Sequence, residues 1–313
     1  MRAVVTGGAG FLGSHLVDFL RGQGAEVLVL DNFITGQRRN IAHLVSDPHV
    51  QIREHDASYP FDVDGPVDIV FHLASAASPA DFARIPIEVL RAGSFATHNC
   101  LELCERKGAT FFLASTSEVY GDPLEHPQSE SYWGHVNSVG PRACYDEAKR
   151  YAEAVSVTYR DHKGVQVRIA RFFNTYGPRM RLEDGRVVPN FIRQALRGEP
   201  LTVYGDGRQT RSFGYYRDII DGIWRLVNSS FQEPVNLGTH EERTILAFAH
   251  AVISATGSQS SIVHMPAAVD DPQQRHPDIS RANFILNWYP QTSLEEGLRE
   301  TIDYFRSVLD SGE

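Results

Sequence analysis

The stretch that most constrains this chain is its N-terminal glycine-rich segment. Ala3-Val4-Val5-Thr6, a short β-branched run, leads straight into Gly7-Gly8-Ala9-Gly10-Phe11-Leu12-Gly13, and a helical pattern follows over residues 14–23. Strand, glycine turn and helix in that order suit a tight turn and a close backbone approach to a pyrophosphate, with the phosphates at the helix N-terminus. A glycine-rich turn alone would say little. Here a second strand, residues 26–30, ends in Asp31. A carboxylate at that place accepts hydrogen bonds from ribose hydroxyls and repels a 2′-phosphate, so it favours NAD over NADP. Arg38 and Arg39 are read as facing solvent.

Strands and helices then alternate. Residues 50–53 read as a third strand with Asp56 just beyond, where it either approaches an adenine or sits as a solvated loop acid. Residues 68–73 form a fourth strand, followed by the small side chains of Ala74-Ser75-Ala76-Ala77-Ser78, which suit a flat cofactor against backbone. His72 reads as a satisfied structural histidine. Residues 85–107 read as one long helical segment. A buried strand, Thr110-Phe111-Phe112-Leu113-Ala114, then turns polar at Ser115-Thr116-Ser117-Glu118, as strands do where open α/β sheets bind ligands. This rhythm predicts an α/β, Rossmann-like, doubly wound parallel sheet.

After a Pro-, His- and Gly-rich loop, Tyr145-Asp146-Glu147-Ala148-Lys149 begins a helix that runs to about residue 162. Residues four apart on a helix are neighbours. A lysine ammonium one turn from a phenol is expected to lower its pKa from about 10, giving a base usable near neutral pH. On most helices such a pair is only a packed ring beside a solvated amine; the hydroxyl-rich strand end and the dinucleotide loop upstream give it meaning.

A further strand spans residues 165–173. From residue 175 the composition shifts toward Gly, Pro and Arg, which places a smaller, discontinuous C-terminal substrate-binding portion at 175–212 and 239–313. Residues 1–174 form the NAD-binding domain, and 213–238 return to it. The net charge of −9, with no basic run longer than Arg38-Arg39, argues against a nucleic-acid partner. Cys100, Cys104 and Cys144 lack metal spacing and read as free thiols. No metal-ligand cluster is expected among the 13 histidines. No apolar stretch has membrane-spanning length and a strand begins at residue 3, so a cytoplasmic protein with no membrane partner is expected.

Taken together, GGAGFLGSH, STSEVYGDP, YDEAK, RFFNTYGPRM, DGRVVPNFI, LTVYGDGRQTRSF and DDPQQRHPDI resemble the NAD-dependent epimerase/dehydratase branch of the extended short-chain dehydrogenases. Within that family the chain is most similar to the UDP-glucuronate decarboxylases. The resemblance covers nearly the whole chain, and its strand-end and YDEAK stretches are more specific than the shared cofactor loop.

The resemblance implies NAD-dependent loss of carbon dioxide from UDP-glucuronate through a 4-keto sugar, yielding UDP-xylose. It implies Tyr145 as base, Lys149 beside it, and Thr116 orienting the sugar. Glu118, two residues on and on the same side of an extended strand end, is expected near the sugar carboxylate, where like-charge repulsion favours its loss. Arg275 is expected beside the sugar as proton donor.

NAD would lie on Gly7, Gly10, Phe11, Leu12, Gly13, Asp31, Asn32, Asp56, Leu73 and Ala74, next to Tyr145 and Lys149. The UDP-sugar would meet Ser117, Asn174, Arg179, Val188, Tyr204, Gln209, Arg211 and Arg275. A homodimer is implied, formed through helices 85–107 and 142–162. Three places depart from the family pattern: Phe82 stands where a phenol is usual, Ser94 where an asparagine is usual, and His276 where a lysine is usual. A 4-epimerase, a decarboxylating dehydrogenase that releases NADH, and a catalytically silent NAD-binding regulator are the alternatives.

Overall fold

The computed structural model describes residues 1–267 and 272–311; Asp270 and Asp271 of the DDPQQRHPDI run lie outside them. The first strand, β1 (Arg2–Thr6), is buried from Ala3 onward and feeds α1 (Phe11–Gly22). β2 (Glu26–Asp31), β3 (Val50–Glu54) and β4 (Ile69–His72) follow. His72 has the structural role expected of it. Its Nδ1 lies 2.8 Å from Thr6 Oγ1 and its Nε2 3.2 Å from the Ala92 carbonyl. Burial lowers its pKa to about 3.

The single helix expected over 85–107 is instead broken. α2 (Pro79–Arg84), α3 (Pro86–Gly93) and α4 (Phe95–Lys107) succeed one another, with the kink at Ser94. The cause is local and tertiary at once. Ser94 Oγ bonds the Leu90 carbonyl at 2.6 Å, competing with the helical ladder. Gly93 is packed so closely that a Cβ there would fall 2.6 Å from Ala148 Cβ.

The buried strand β5 (Thr110–Thr116) carries Phe111, Phe112 and Leu113, all fully buried; each such side chain contributes roughly 2 kcal/mol. α5 (Ala143–Lys163) and β6 (Val167–Phe172) complete the first half. Beyond them come β7 (Thr175–Tyr176), α6 (Val187–Arg197), β8 (Leu201–Tyr204), β9 (Thr210–Ser212) and β10 (Gly214–Tyr215). α7 (Tyr216–Val227) and β11 (Val235–Leu237) return to the main sheet, where Val235 registers with Ala170 of β6. The chain ends with β12 (Glu242–Thr244), α8 (Ile245–Thr256), β13 (Ile262–Met265), β14 (Gln274–Arg275), α9 (Ser280–Leu286) and α10 (Leu294–Asp310).

The main sheet has seven strands in the order β11-β6-β5-β4-β1-β2-β3, every pair parallel. The order reverses between β1 and β4. A crevice therefore opens at the carboxyl ends of those two strands, the place where open α/β sheets take ligands. The smaller region is built from short sheets, β12-β9-β14 among them. Its own core gathers Tyr176, Phe191, Leu201, Phe248 and Phe305. Ile279, Ala282, Leu286 and Trp288 pack instead with Ile219 and Ile223 of α7, in the core of the main sheet. Trp288 anchors that junction by donating its indole N–H to the Asp218 carbonyl at 2.9 Å.

Cys100 and Cys104 are buried free thiols and Cys144 is a half-buried one. Among the described residues no helix is long and apolar enough to cross a membrane.

Candidate active site

One cleft runs from the β1–α1 turn to the ends of β5 and β14. At its first end, Gly7 adopts φ +72°, and a Cβ there would stand 2.7 Å from Ala74 N. A Cβ on Gly13 would reach within 2.0 Å of the Gly7 carbonyl oxygen. Only glycine allows both contacts, and the outcome is a bare backbone cradle. Gly10 caps α1 without a side chain, leaving the first N–H groups of the helix for a ligand. Phe11, Leu12, Leu73 and Ala74 line the same cradle.

Asp31 is buried at the end of β2. Its carboxylate accepts Ala9 N at 2.9 Å and Phe33 N at 2.8 Å. Burial raises its pKa, and those two bonds oppose the rise. Asn32 and Asp56 also line the cleft, bonded to each other at 3.1 Å. A glycine cradle, a helix end and a rigidly held acid fit a dinucleotide with free ribose hydroxyls.

The other end holds the reactive groups. β5 stops at Thr116, whose side chain accepts the Glu118 N–H at 3.2 Å. Glu118 was expected on an extended strand end; it lies in a 3-10 turn, Ser117–Tyr120, capped by that threonine. The turn still brings Thr116, Ser117 and Glu118 to the cleft with Tyr145 and Lys149 of α5. Tyr145 is buried, and the Phe82 ring lies stacked on it. Lys149 donates to the Ala114 carbonyl at 2.8 Å, with Nζ 5.7 Å from the Tyr145 ring centroid.

The expectation that Lys149 lowers the Tyr145 pKa is overturned for the protein by itself. Burial pushes the phenol well above its ordinary range. Thr116 and Arg186 pull the other way. Burial also lowers Lys149 to about 8. Desolvation disfavours both charged forms, and the distance along the helix cannot reveal it.

Glu118 departs further from expectation. Arg275 of β14 grips its carboxylate with both terminal nitrogens, Nη2 to Oε2 at 2.9 Å. Arg142 Nη2 lies 2.7 Å from Oε1. Burial would raise this carboxyl, yet the two guanidiniums hold it at about 2. Its charge is thus offset by two cations, which weakens the expected like-charge push on a substrate carboxylate. Next to Tyr145, Asp146 is buried and raised to about 7 by burial and then by Glu118.

Sequence reasoning missed Arg142, although it stands three residues before Tyr145. It also missed a second ionic cluster on the cleft wall, where Arg181 pairs with Asp81 and Arg186 with Asp184. The Asp184-Gly185-Arg186 run in the composition shift was its available signal.

Of the other expected sugar-nucleotide contacts, Asn174 and Arg179 line the cleft; Arg179 has φ +67° and pairs with Asp18 at 2.7 Å. Val188, Tyr204, Gln209 and Arg211 fall outside its lining. Val188 is buried in α6, and Tyr204 is exposed. Gln209 donates to the Tyr204 carbonyl at 2.8 Å. Arg211 is in register with Arg275 across β9 and β14. The expectation of no histidine cluster also fails: His126, Glu242 and His276, from three distant segments, place their ligand atoms within 4.8 Å of one another.

Comparison with known proteins agrees with this geometry. The model of the NAD dependent epimerase/dehydratase family matches residues 3–238. UDP-glucuronic acid decarboxylase 1 of Danio rerio is 52% identical over 99% of this chain and 73% of its own length. UDP-glucuronic acid decarboxylase 1 of Arabidopsis thaliana is 50% identical over 99% of this chain and 71% of its own. Among solved structures, UDP-glucuronic acid 4-epimerase from Bacillus cereus, with UDP-glucuronic acid and NAD, superposes with a TM-score of 0.88. It is 28% identical, over 98% of this chain and 100% of that one. With the dinucleotide cradle, the Tyr145–Lys149 pair and a family model matched over most of its length, the chain belongs to the NAD dependent epimerase/dehydratase family.

Proposed function

We propose that the protein decarboxylates UDP-glucuronate to UDP-xylose through a 4-keto sugar. The observation that carries this reading is Glu118 held between Arg275 and Arg142, with Glu118 and Arg275 lining the same cleft as Thr116, Tyr145 and Lys149. Relatives at 50–52% identity bear the name UDP-glucuronic acid decarboxylase. NAD held on Gly7, Gly10, Gly13 and Asp31 would supply a hydride acceptor for sugar C4 and then the matching donor.

Thr116 orients the 4-hydroxyl, and Tyr145 takes its proton as C4 is oxidised. Lys149, held by the Ala114 carbonyl, keeps a positive charge on the base's side of the cleft. The 4-ketone lies β to the carboxylate. Carbon dioxide therefore leaves with its bonding pair remaining on the sugar as an enolate. In this reading Glu118 holds Arg275, which would deliver the proton that C5 takes up and regain it from solvent. The proton on Tyr145 returns as C4 is reduced, and the base is regenerated.

The division of labour follows from this reading. Residues 175–212 and 239–313 would form the sugar-nucleotide portion, and Asn174 and Arg179, which line the cleft, would take the UDP side. The protein works as a homodimer through α3, α4 and α5, whose exposed Ile87, Leu90, Phe95 and Tyr151 supply apolar surface for an isologous contact.

Incubation with UDP-glucuronate, followed by mass spectrometry and NADH absorbance, tests the activity. UDP-xylose without net NADH is expected. UDP-galacturonate with its carboxylate intact would assign a 4-epimerase, and a 4-ketopentose with NADH a decarboxylating dehydrogenase. Light scattering at micromolar concentration tests the dimer; a monomer there overturns it.

A further inference from the structure

The histidine–carboxylate cluster lies outside the cleft and plays no part in the chemistry above. His126 belongs to the loop after β5, Glu242 opens β12, and His276 directly follows β14. His126 Nε2 stands 3.2 Å and His276 Nδ1 3.3 Å from one and the same oxygen, Glu242 Oε2. The two rings meet edge to face, with centroids 5.1 Å apart.

The surroundings hold two of these groups in place. The second Glu242 oxygen accepts the Thr210 hydroxyl. The His276 backbone is tied to Gln128 on both sides: its N–H donates to Gln128 Oε1 at 2.8 Å, and its carbonyl accepts Gln128 N at 2.9 Å. Since β12 and β14 flank β9 in one small sheet, Glu242 and His276 are presented by a shared scaffold. The His126 side chain is 38% exposed, the least enclosed of the three.

These distances suit a metal ion. A tetrahedral zinc with ligands at about 2.0–2.1 Å separates neighbouring ligand atoms by roughly 3.3–3.4 Å. Both contacts to Glu242 Oε2 match that spacing. The three ligand atoms already lie within 4.8 Å of one another, so a swing of His126 by about 1.5 Å closes the set. Imidazole and carboxylate donors suit zinc and its neighbours in the transition series, and three protein ligands leave a position for water. The Thr210 hydroxyl on the other Glu242 oxygen is the kind of partner that orients a ligating carboxylate, and Gln128 fixes the His276 backbone.

We propose that His126, Glu242 and His276 form a binding site for a divalent transition-metal ion, zinc by preference. The ion clips the 126–128 loop to the β12-β9-β14 sheet, one residue from Arg275. The competing account is a pair of ordinary imidazole–carboxylate hydrogen bonds, which has no affinity for metal.

Isothermal titration of the purified full-length protein with zinc chloride, and with cobalt chloride read by visible absorption, tests the proposal. One ion per chain is expected, with a cobalt spectrum of tetrahedral intensity. His276→Lys installs the lysine usual in the resembling family. It should weaken zinc binding at least tenfold, as should Glu242→Gln, and His126→Ala with His276→Lys together should abolish it. Zinc at a hundredfold excess over its Kd should raise Tm by roughly 5 °C in the native protein and leave the double variant unmoved. Circular dichroism and NAD binding verify that the variants are folded, and the cobalt spectrum of the native protein needs no variant. No zinc uptake by the native protein overturns the proposal. So does stoichiometric uptake that survives unchanged in the folded double variant.

Discussion

Phe82 lies flat against Tyr145, with ring centroids 4.8 Å apart and planes inclined by 17°. Both rings are buried. The stack fixes the phenol's direction and removes water from one of its faces, and it does so with a residue that brings no hydroxyl of its own to the site. Phe82→Ala is expected to destabilise the fold by about 3 kcal/mol, the usual cost of emptying a buried aromatic site. It should also lower kcat, because the base loses its support. Thermal denaturation and steady-state kinetics check the two effects, and unchanged kcat would remove Phe82 from the account of the base.

Tyr145→Phe deletes a proton acceptor used in the transition state while keeping nearly all the bulk. Turnover should fall by at least about a hundredfold. Binding of UDP and NAD, measured by calorimetry, should stay within about threefold, since a lost transition-state contact leaves ground-state binding in place. A variant that keeps a substantial share of native turnover would place the base elsewhere.

The Glu118 clamp makes a prediction about acid. Its folded pKa of about 2 lies below the ordinary value of a glutamate near 4.3. A group depressed on folding contributes stability in full above its unfolded pKa and loses it as pH falls through the folded one. The native protein should therefore lose this contribution between about pH 4.3 and pH 2. Glu118→Gln leaves two guanidiniums without their carboxylate and should cost about 3–5 kcal/mol at neutral pH. The gap between native and variant should narrow in that acid window. Denaturant melts at stepped pH measure it, and a constant gap would contradict the clamp. At neutral pH, Glu118→Gln and Arg275→Ala should each slow pentose formation far more than they weaken UDP binding. Native rates in both would return the site to the epimerase reading.

Asp31, held by Ala9 N and Phe33 N, sets its carboxyl group in the cleft beside the glycine cradle. NADH should bind more tightly than NADPH, and Asp31→Ser should narrow that preference by about tenfold, near the scale of one charged hydrogen bond. Fluorescence titration of the reduced dinucleotides decides this. Tighter NADPH binding by the native protein would defeat the argument.

What could be read from the chain alone was short-range and periodic. The β1–α1 glycine cradle, Asp31 at the end of β2, the buried run of β5 and the one-turn spacing of Tyr145 and Lys149 each sit within a few residues. Backbone geometry fixes what those residues can do locally. The doubly wound parallel sheet followed because alternating strands and helices permit few arrangements.

Tertiary structure decided the rest. Glu118 meets an arginine 157 positions away. His126, Glu242 and His276 meet only because β12 and β14 flank β9 and Gln128 ties the loop to them. Gly93, just before the break at Ser94, packs against Ala148 on another helix. The Tyr145 pKa, expected to fall, is raised by burial. Desolvation and ion pairing depend on everything packed around a group, and that environment exists only in the folded chain.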